Sequence, residues 1–337
     1  MWRLYISLYY LTLIFGSIMA ITASSWIITW VGLEINLLAL MPLMINLNKK
    51  YSSEAAIKYF LVQALASGMF LFAAIFSSSQ FTLNSLSMQA THSFLLCSAL
   101  LLKIGAAPFH FWLPEVMSGS NWKTNFIILT WQKLAPMMIM YQAAPNPLYF
   151  SIIIISSSII SGIQGMNQTC MRKIMAFSSI NHSSWMLASM MSSLTLWLYY
   201  YMIYMLINLS IILMLNKYNI LYISQLNKIF TVSKMMKFIF MLMFMNLGGL
   251  PPFLGFLPKW MVTLNLITNN FYILTTLLII FTLTTLYFYT RIVMSTWSIN
   301  SEESLINFFF KMNYFSMMIN SLSLITLMIC AMLTNNL

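Results

Sequence analysis

The sequence predicts an all-α polytopic membrane protein, with about 11 transmembrane helices arranged as two inverted five-helix repeats and a final helix. The first observation is composition: 61% of the 337 residues are hydrophobic and 6% are charged, whereas soluble domains carry roughly 25% charged residues. Such a surface must be covered by lipid. The second observation is a hydrophobic segment broken by Gly and Pro that occurs twice, at 105–114 and 249–258, with the shared pattern G-x-x-P-F-x-x-x-L-P. Repeats that each carry a broken helix are typical of transporters, whose polar path lies at the break.

The hydrophobic stretches, taken in order, give the predicted spans. A bilayer core about 30 Å thick requires about 20 apolar residues per helix. Division of the chain at its polar and Pro/Gly/Asn clusters predicts spans at 3–22, 24–46, 54–77, 92–115, 124–143, 148–166, 173–193, 195–216, 237–264, 270–292 and 311–333.

The basic residues between these spans and at their ends predict the orientation of the chain. Twelve lysines and arginines all fall on the side of the amino terminus, and the other connections carry none. They are Arg3, Lys49, Lys50, Lys123, Arg172, Lys173, Lys217, Lys228, Lys234, Lys237, Arg291 and Lys311. The positive-inside rule therefore places the amino terminus and the basic loops in the cytoplasm or matrix, and the carboxyl terminus on the opposite side. Topology and lipid headgroups account for the net charge of +11, so no nucleic-acid partner is expected.

The span count also predicts how the two copies are related. The breaks fall in the fourth and ninth spans, five apart, and an odd offset reverses the direction of the chain across the membrane. We therefore expect a first inverted repeat at 1–143, a second at 148–292, and a loop with a carboxyl-terminal helix at 293–337.

Four ionisable residues lie inside predicted spans or just after a break: Glu34, Lys103, Lys133 and Lys259. Each charge costs roughly 2.5–3.5 kcal/mol at the centre of a membrane helix. Intramembrane charges usually face the bundle interior and mark ion or proton pathways. Burial lowers the pKa of a lysine and a nearby acidic partner raises it, so a lysine whose surroundings change can gain and lose a proton. These residues therefore suggest a proton relay. The alternative is a structural ion pair, for instance between Glu34 and Lys103.

Three further residues are weaker candidates for the same path. His182 lies in the polar middle of the seventh span and could bridge two lysines, or it could be a hydrogen-bonded packing residue. His110 follows the first break and could line the same water, or bond backbone carbonyls that the break leaves open. Glu115 lies at the basic-side exit of the broken fourth span.

The sequence shows no motif for redox or hydrolytic chemistry. Cys97, Cys170 and Cys330 are isolated and lack the spacing of a metal site. A Gly-rich phosphate loop and a Ser-His-Asp set are also missing. No metal and no cofactor is expected on this chain.

Seven segments of the chain form an ordered set of motifs: 30–36, 54–60, 103–115, 129–136, 172–180, 248–253 and 258–260. Together they resemble one family, the subunit 2 family of animal mitochondrial NADH:ubiquinone oxidoreductase, respiratory complex I. The resemblance covers nearly the whole length and is weakest after about residue 295. Fuller-length relatives have fourteen spans, so we expect three spans before the first repeat to be missing here.

The resemblance implies an antiporter-like, proton-translocating subunit of the membrane arm, driven by quinone reduction elsewhere. Glu34 would be the glutamate of the first half-channel and Lys103 its paired lysine. Lys133 would be the connecting lysine, Lys259 the terminal lysine, and His182 would lie between these two.

The resemblance also implies the surroundings of the chain. FMN, iron–sulfur clusters and ubiquinone would be bound by other subunits. The expected partners are other complex I subunits, including further antiporter-like ones, and membrane lipids such as cardiolipin. The location would be the mitochondrial inner membrane, with the amino terminus and basic loops in the matrix and the carboxyl terminus on the intermembrane-space side.

Two other functions stay open at this point. The chain could be a structural or signal-transmitting spacer that conducts no protons. It could also be an autonomous cation/proton antiporter, although a single mid-membrane acid does not provide the carboxylate pair that would suit Na⁺.

Overall fold

The computed structural model describes residues 2–45, 50–79, 86–143, 146–230, 234–251 and 253–297. Within these ranges the chain is helical, and its β-structure is limited to an isolated bridge between Cys170 and Tyr222. The predicted all-α class is therefore confirmed.

The helices follow one another with short connections. They are α1 Trp2–Thr22, α2 Trp26–Met44, α3 Lys50–Ser79, α4 Leu86–Ile104, α5 Trp112–Gly119, α6 Trp122–Leu129, α7 Trp131–Gln142, α8 Pro147–Met166, α9 Met171–Met190, α10 Leu194–Lys217, α11 Ile223–Phe230, α12 Lys234–Gly248, α13 Phe256–Thr268 and α14 Tyr272–Trp297.

Six helices of the described ranges are long and apolar enough to cross a membrane. They cover Tyr5–Thr22, Trp26–Met44, Lys50–Phe76, Pro147–Met166, Leu194–Lys217 and Tyr272–Met294. Three other predicted spans are divided into shorter helices (α4 with α5, α6 with α7, α12 with α13), and α9 is continuous but polar. The predicted final span at 311–333 lies outside the described residues. The protein is thus a multi-pass membrane protein, and the count of eleven stays a prediction.

The described residues form two compact units, one up to Ser156 and one from Ser157 onward. The division falls near the middle of α8, inside the predicted second repeat. The repeat boundaries at 143 and 148 stay a prediction.

Both broken helices end in the same backbone geometry. Gly105 and Gly249 each have φ +76°, in the left-handed region that glycine adopts without steric cost. In the first copy, the N–H of the glycine and the N–H after it both donate to the Leu101 carbonyl, at 2.9 and 3.2 Å. In the second copy, the equivalent groups donate to the Met245 carbonyl at 3.1 and 3.5 Å. This is the cap with which glycine commonly ends a helix, and it stops α4 and α12 inside the apolar interior.

Each unit has a central helix that brings the candidate residues together. In the first unit, α7 packs against α2 and α4. In the second unit, α9 packs against α10, α13 and α14, and its residues from Ile174 to Met190 are all buried. A helix that is buried all round can carry polar side chains only if they find partners inside the protein.

Candidate functional site

Glu34 lies on α2 with one carboxylate oxygen in an unusual position. Its Oε2 atom is buried and forms no hydrogen bond with the described residues. The carboxylate acts electrostatically on the Lys103 ammonium and on the Tyr59 hydroxyl. It does not come within the 4.0 Å of Lys103 that defines an ion pair in the described part of the chain. Buried polar atoms without a partner are uncommon, and a role of Glu34 in proton exchange stays a prediction.

Lys103 lies in the last turn of α4, with its side chain 6% exposed. A cation is favoured at this end of a helix because the unpaired carbonyls carry partial negative charge. Two side chains close the neighbouring carbonyls: Gln63 Nε2 donates to the Lys103 carbonyl at 3.3 Å, and Trp112 Nε1 donates to the Leu102 carbonyl at 3.0 Å. Sequence reasoning did not find Gln63. Side chains of α3 and α5 therefore donate hydrogen bonds to the carbonyls at the end of α4.

Glu115 lies on α5, after the first break, and pairs with a residue of α3. Lys58 Nζ is 2.7 Å from Glu115 Oε2, and the two side chains are 53% and 55% exposed. Tyr59 of α3 also packs against Trp112 of α5, with ring centroids 5.9 Å apart. Because Gln63 of α3 bonds the end of α4, helix α3 contacts both sides of the break. This ion pair holds α5 in place; a role of Glu115 as an exit stays a prediction.

Lys133 follows an interruption that the sequence analysis missed. Thr130 has φ −113° and ψ −77° and separates α6 from α7. The Lys133 side chain is 1% exposed. Pro136 lies inside α7 and removes one helical N–H, which was the available signal for an irregular helix. The neighbouring residue, Gln132, donates to Asn36 Oδ1 at 2.9 Å, so α7 is tied to the helix of Glu34.

Lys259 lies on α13 and reaches back across the second break. Its side chain is 7% exposed, and its Nζ donates to the Gly248 carbonyl at 2.8 Å. The ammonium therefore caps the carboxyl-terminal end of α12, a site that favours positive charge. The turn between the half-helices is fixed by Asn246, whose Oδ1 accepts from the Gly255 N–H at 2.8 Å.

His182 lies in the buried polar stretch of α9. Its Nδ1 is 2.9 Å from the Tyr200 hydroxyl, and its ring packs against Tyr204 with centroids 5.0 Å apart. The adjacent Asn181 donates from Nδ2 to Thr285 Oγ1 on α14 at 3.2 Å. The two tyrosines lie in the apolar helix α10, and no motif of the sequence marks them.

His110 lies within the first break and is buried. Its Nδ1 is 3.2 Å from the Pro108 carbonyl, and its ring contacts Phe111 at a centroid distance of 4.2 Å. This contact is the one expected if His110 bonds a backbone carbonyl that the break leaves open. A role for His110 in proton transfer stays a prediction.

The first unit therefore brings Glu34 and Lys103 into electrostatic range and places Lys133 on a helix packed against both of theirs. The second unit places His182 and Lys259 on two helices in contact, α9 and α13. Among the described residues, no group of three or more His, Cys, Asp or Glu side chains is arranged to hold a metal ion. In each unit the candidate residues are ionisable side chains that lie among buried amides and hydroxyls.

This combination defines a class of protein: multi-span membrane proteins with broken helices and lysines in the interior. The profile of the family described as "NADH:quinone oxidoreductase/Mrp antiporter, TM" matches residues 23–286. The match includes both breaks and every candidate residue named above.

Curated relatives narrow this class to one subunit. The chain is 44% identical to "NADH-ubiquinone oxidoreductase chain 2" of Anopheles gambiae, over 95% of this chain and 93% of that protein. It is also 44% identical to the protein of the same name from Aedes aegypti, over 96% of this chain and 93% of the relative. The chain therefore belongs to the NADH-ubiquinone oxidoreductase chain 2 family.

Solved structures share the fold at low sequence identity. A chain of "Respiratory complex I from Thermus thermophilus with bound Aureothin" superposes with a TM-score of 0.85 at 21% identity, over 96% of this chain and 77% of that chain. A chain of the Mrp complex from Dietzia sp. DQ12-45-1b gives a TM-score of 0.75 at 16% identity, over 85% and 59%. At these identities the likeness concerns the fold alone.

Proposed function

We propose that this chain is a proton-translocating subunit in the membrane arm of a mitochondrial NADH:ubiquinone oxidoreductase. It takes part in the reaction of the whole complex and binds no redox group itself. FMN, the iron–sulfur clusters and ubiquinone belong to other subunits. The observation that carries the proposal is the burial of three lysines, Lys103, Lys133 and Lys259, which are at most 7% exposed.

Buried lysines are costly, and structure alone does not require three of them. Desolvation disfavours the charged form of each. Lys103 and Lys259 lie at the carbonyl ends of α4 and α12, which offsets part of this cost without a fixed carboxylate partner. A cation held by dipoles rather than by a permanent ion pair can release its proton and regain it, as a relay requires.

The relay runs from Glu34 and Lys103 to Lys133, and then through His182 to Lys259. The proposed first step is proton exchange between Glu34 and Lys103, which lie close enough for the carboxylate to favour the charged form of the amine. Lys133 connects this pair to the second repeat, and Lys259 is the terminal group. His110 and Glu115 are further candidates at the first break.

Inverted repeats and eleven spans complete the proposed fold. The two glycine caps, 144 positions apart, support it. So do two matched amide contacts between the second and fifth spans of each half: Asn36 with Gln132 and Asn181 with Thr285. The two asparagines are 145 positions apart, nearly the same offset as the glycines.

The proposed setting is the mitochondrial inner membrane, with the amino terminus and basic loops in the matrix and the carboxyl terminus on the intermembrane-space side. Other subunits of the complex, including antiporter-like ones, are the proposed neighbours, together with lipids such as cardiolipin. The one-sided distribution of Lys and Arg along the sequence supports this orientation.

The test is Lys133→Met in the assembled complex, which removes a buried charge and keeps a side chain of similar length. We expect fewer protons pumped per NADH oxidised in proteoliposomes. Lys123→Met is the matched control, because Lys123 is exposed and the same charge is lost outside the path. An unchanged ratio in fully assembled Lys133→Met complex would favour the spacer function instead. Proton pumping that requires Na⁺ or K⁺ and continues without NADH would favour the autonomous antiporter.

A further inference from the structure

The buried surroundings of His182 contain a contact with one specific side chain of α10. The Tyr200 hydroxyl is 2.9 Å from His182 Nδ1, and both side chains are buried. In α9, the hydroxyls of Ser178, Ser179 and Ser183 bond backbone carbonyls of the helix, whereas His182 and Asn181 contact side chains of neighbouring helices. His182 is therefore tied to α10 by one specific side chain.

The contact restricts what the imidazole can do. The two ring nitrogens of histidine are distinct, and the hydrogen bond made by one sets the protonation of the other. A phenol can donate or accept, so the Tyr200 hydroxyl can follow either state of Nδ1. Because Nδ1 faces Tyr200, proton exchange with the rest of the path falls to Nε2.

The imidazole ring of His182 also packs against a second tyrosine. Tyr204, one turn after Tyr200, packs against the imidazole with an interplanar angle of 43°. The Tyr204 hydroxyl lies near Asn208 and Ser179. Residues four apart share one face of a helix, so α10 presents Tyr200, Tyr204 and Asn208 as one continuous polar face towards α9.

We infer that Tyr200 is a positioning residue for His182: its hydroxyl holds Nδ1 so that Nε2 carries the proton through the second unit. This inference rests on the proposed proton-translocating function. It predicts that the Tyr200 hydroxyl matters only when a histidine stands at position 182.

The test is a double-mutant cycle in assembled complex with Tyr200→Phe, His182→Gln and both together. Tyr200→Phe removes one oxygen and keeps the ring. We expect proton-coupled turnover to fall about 2- to 10-fold, the range that corresponds to the loss of one neutral hydrogen bond, and the solvent isotope effect on turnover to rise. In the His182→Gln background, Tyr200→Phe should add no further loss, because interacting residues are non-additive.

Tyr201→Phe is the control, since Tyr201 is also buried on α10 but stacks on Trp197, with centroids 5.4 Å apart. It should leave both turnover and the isotope effect unchanged. Equal losses from Tyr200→Phe in the two backgrounds, or an isotope effect that does not change, would overturn the inference. Failure of the proposed function is recognised separately, because Lys133→Met would then keep the normal ratio of protons to NADH.

Discussion

Gly249 offers the sharpest test of how the second break serves the site. Gly249→Ala adds one methyl group to a backbone with φ +76°. The new Cβ would lie 3.0 Å from Lys259 Nζ and 3.1 Å from the Gly255 carbonyl oxygen. Contacts this short force a neighbour to move, and the flexible lysine moves more easily than the backbone. The substitution should therefore separate the Lys259 ammonium from the Gly248 carbonyl, which it contacts at 2.8 Å.

The size of the effect follows from two terms. A non-glycine residue in the left-handed region costs roughly 1–2 kcal/mol. A hydrogen bond to a charged group contributes about 1.5–3 kcal/mol. We expect Gly249→Ala to destabilise the second break by about 2.5–5 kcal/mol, the sum of the two contributions. Loss of this hydrogen bond also frees the Lys259 ammonium, the terminal group of the proposed relay, from the Gly248 carbonyl.

Two other glycines separate these terms. Gly105→Ala has the same φ, but its Cβ would meet Leu113 Cδ1 at 2.8 Å rather than a lysine, so it carries the conformational cost and a clash with an apolar side chain but loses no hydrogen bond to a charged group. Gly68→Ala lies in the interior of α3 with nothing within 4 Å of the new Cβ, and a helix gains about 1 kcal/mol from alanine in place of glycine.

The measurement combines the dissociation temperature of the extracted complex with protons pumped per NADH oxidised. Gly249→Ala should lower both quantities, Gly105→Ala only the temperature, and Gly68→Ala neither. If Gly249→Ala and Gly105→Ala lower the temperature equally and both keep the normal pumping ratio, the Lys259 contact has no role in proton transfer.

Two further predictions concern contacts that hold the first unit. Lys58→Met or Glu115→Gln should lower the dissociation temperature only slightly, because solvent screens an exposed ion pair. The exchange of the two charges in one variant should restore it, and failure to do so would contradict the pairing. Asn36→Leu should cost more, about 1–3 kcal/mol, because it leaves the amide of Gln132 without its partner. Gln132→Leu in the same chain should then recover part of the loss in a thermal unfolding measurement, whereas simple addition would contradict the contact.

Much of the fold could be predicted from the sequence, because lipid imposes strong rules on hydrophobic segments. The two breaks were visible as Gly and Pro inside apolar runs, and both occur where predicted, at Gly105 and Gly249. The break at Thr130 was not predicted, because no glycine marks it and Pro136 lies six residues later. Length and hydropathy count a broken span and a continuous one alike, so they cannot locate such an interruption.

The charged residues of the candidate site could be predicted from the sequence, but the side chains that surround them could not. A lysine in an apolar run is conspicuous, so Lys103, Lys133 and Lys259 could be selected from the sequence alone. Gln63, Asn36 and Tyr200 look like ordinary helix residues, and their importance depends on which neighbouring helix they face. That information comes from packing. An offset of 145 residues between Asn36 and Asn181 was the one available signal.

The two breaks use their charges differently, and the hydrogen bonds explain how. Glu115 and Lys259 occupy matching positions after the two glycine caps, 144 residues apart. In the first copy Gln63 and Trp112 bond the open carbonyls of α4, so Glu115 turns outward to an exposed lysine on α3. In the second copy the Lys259 ammonium itself bonds the Gly248 carbonyl. A neutral amide holds one break permanently, whereas a titratable group holds the other. Loss of the Lys259 proton would therefore weaken a contact between α13 and α12. In the proposed relay, this contact would couple the protonation of Lys259 to the geometry of the second break.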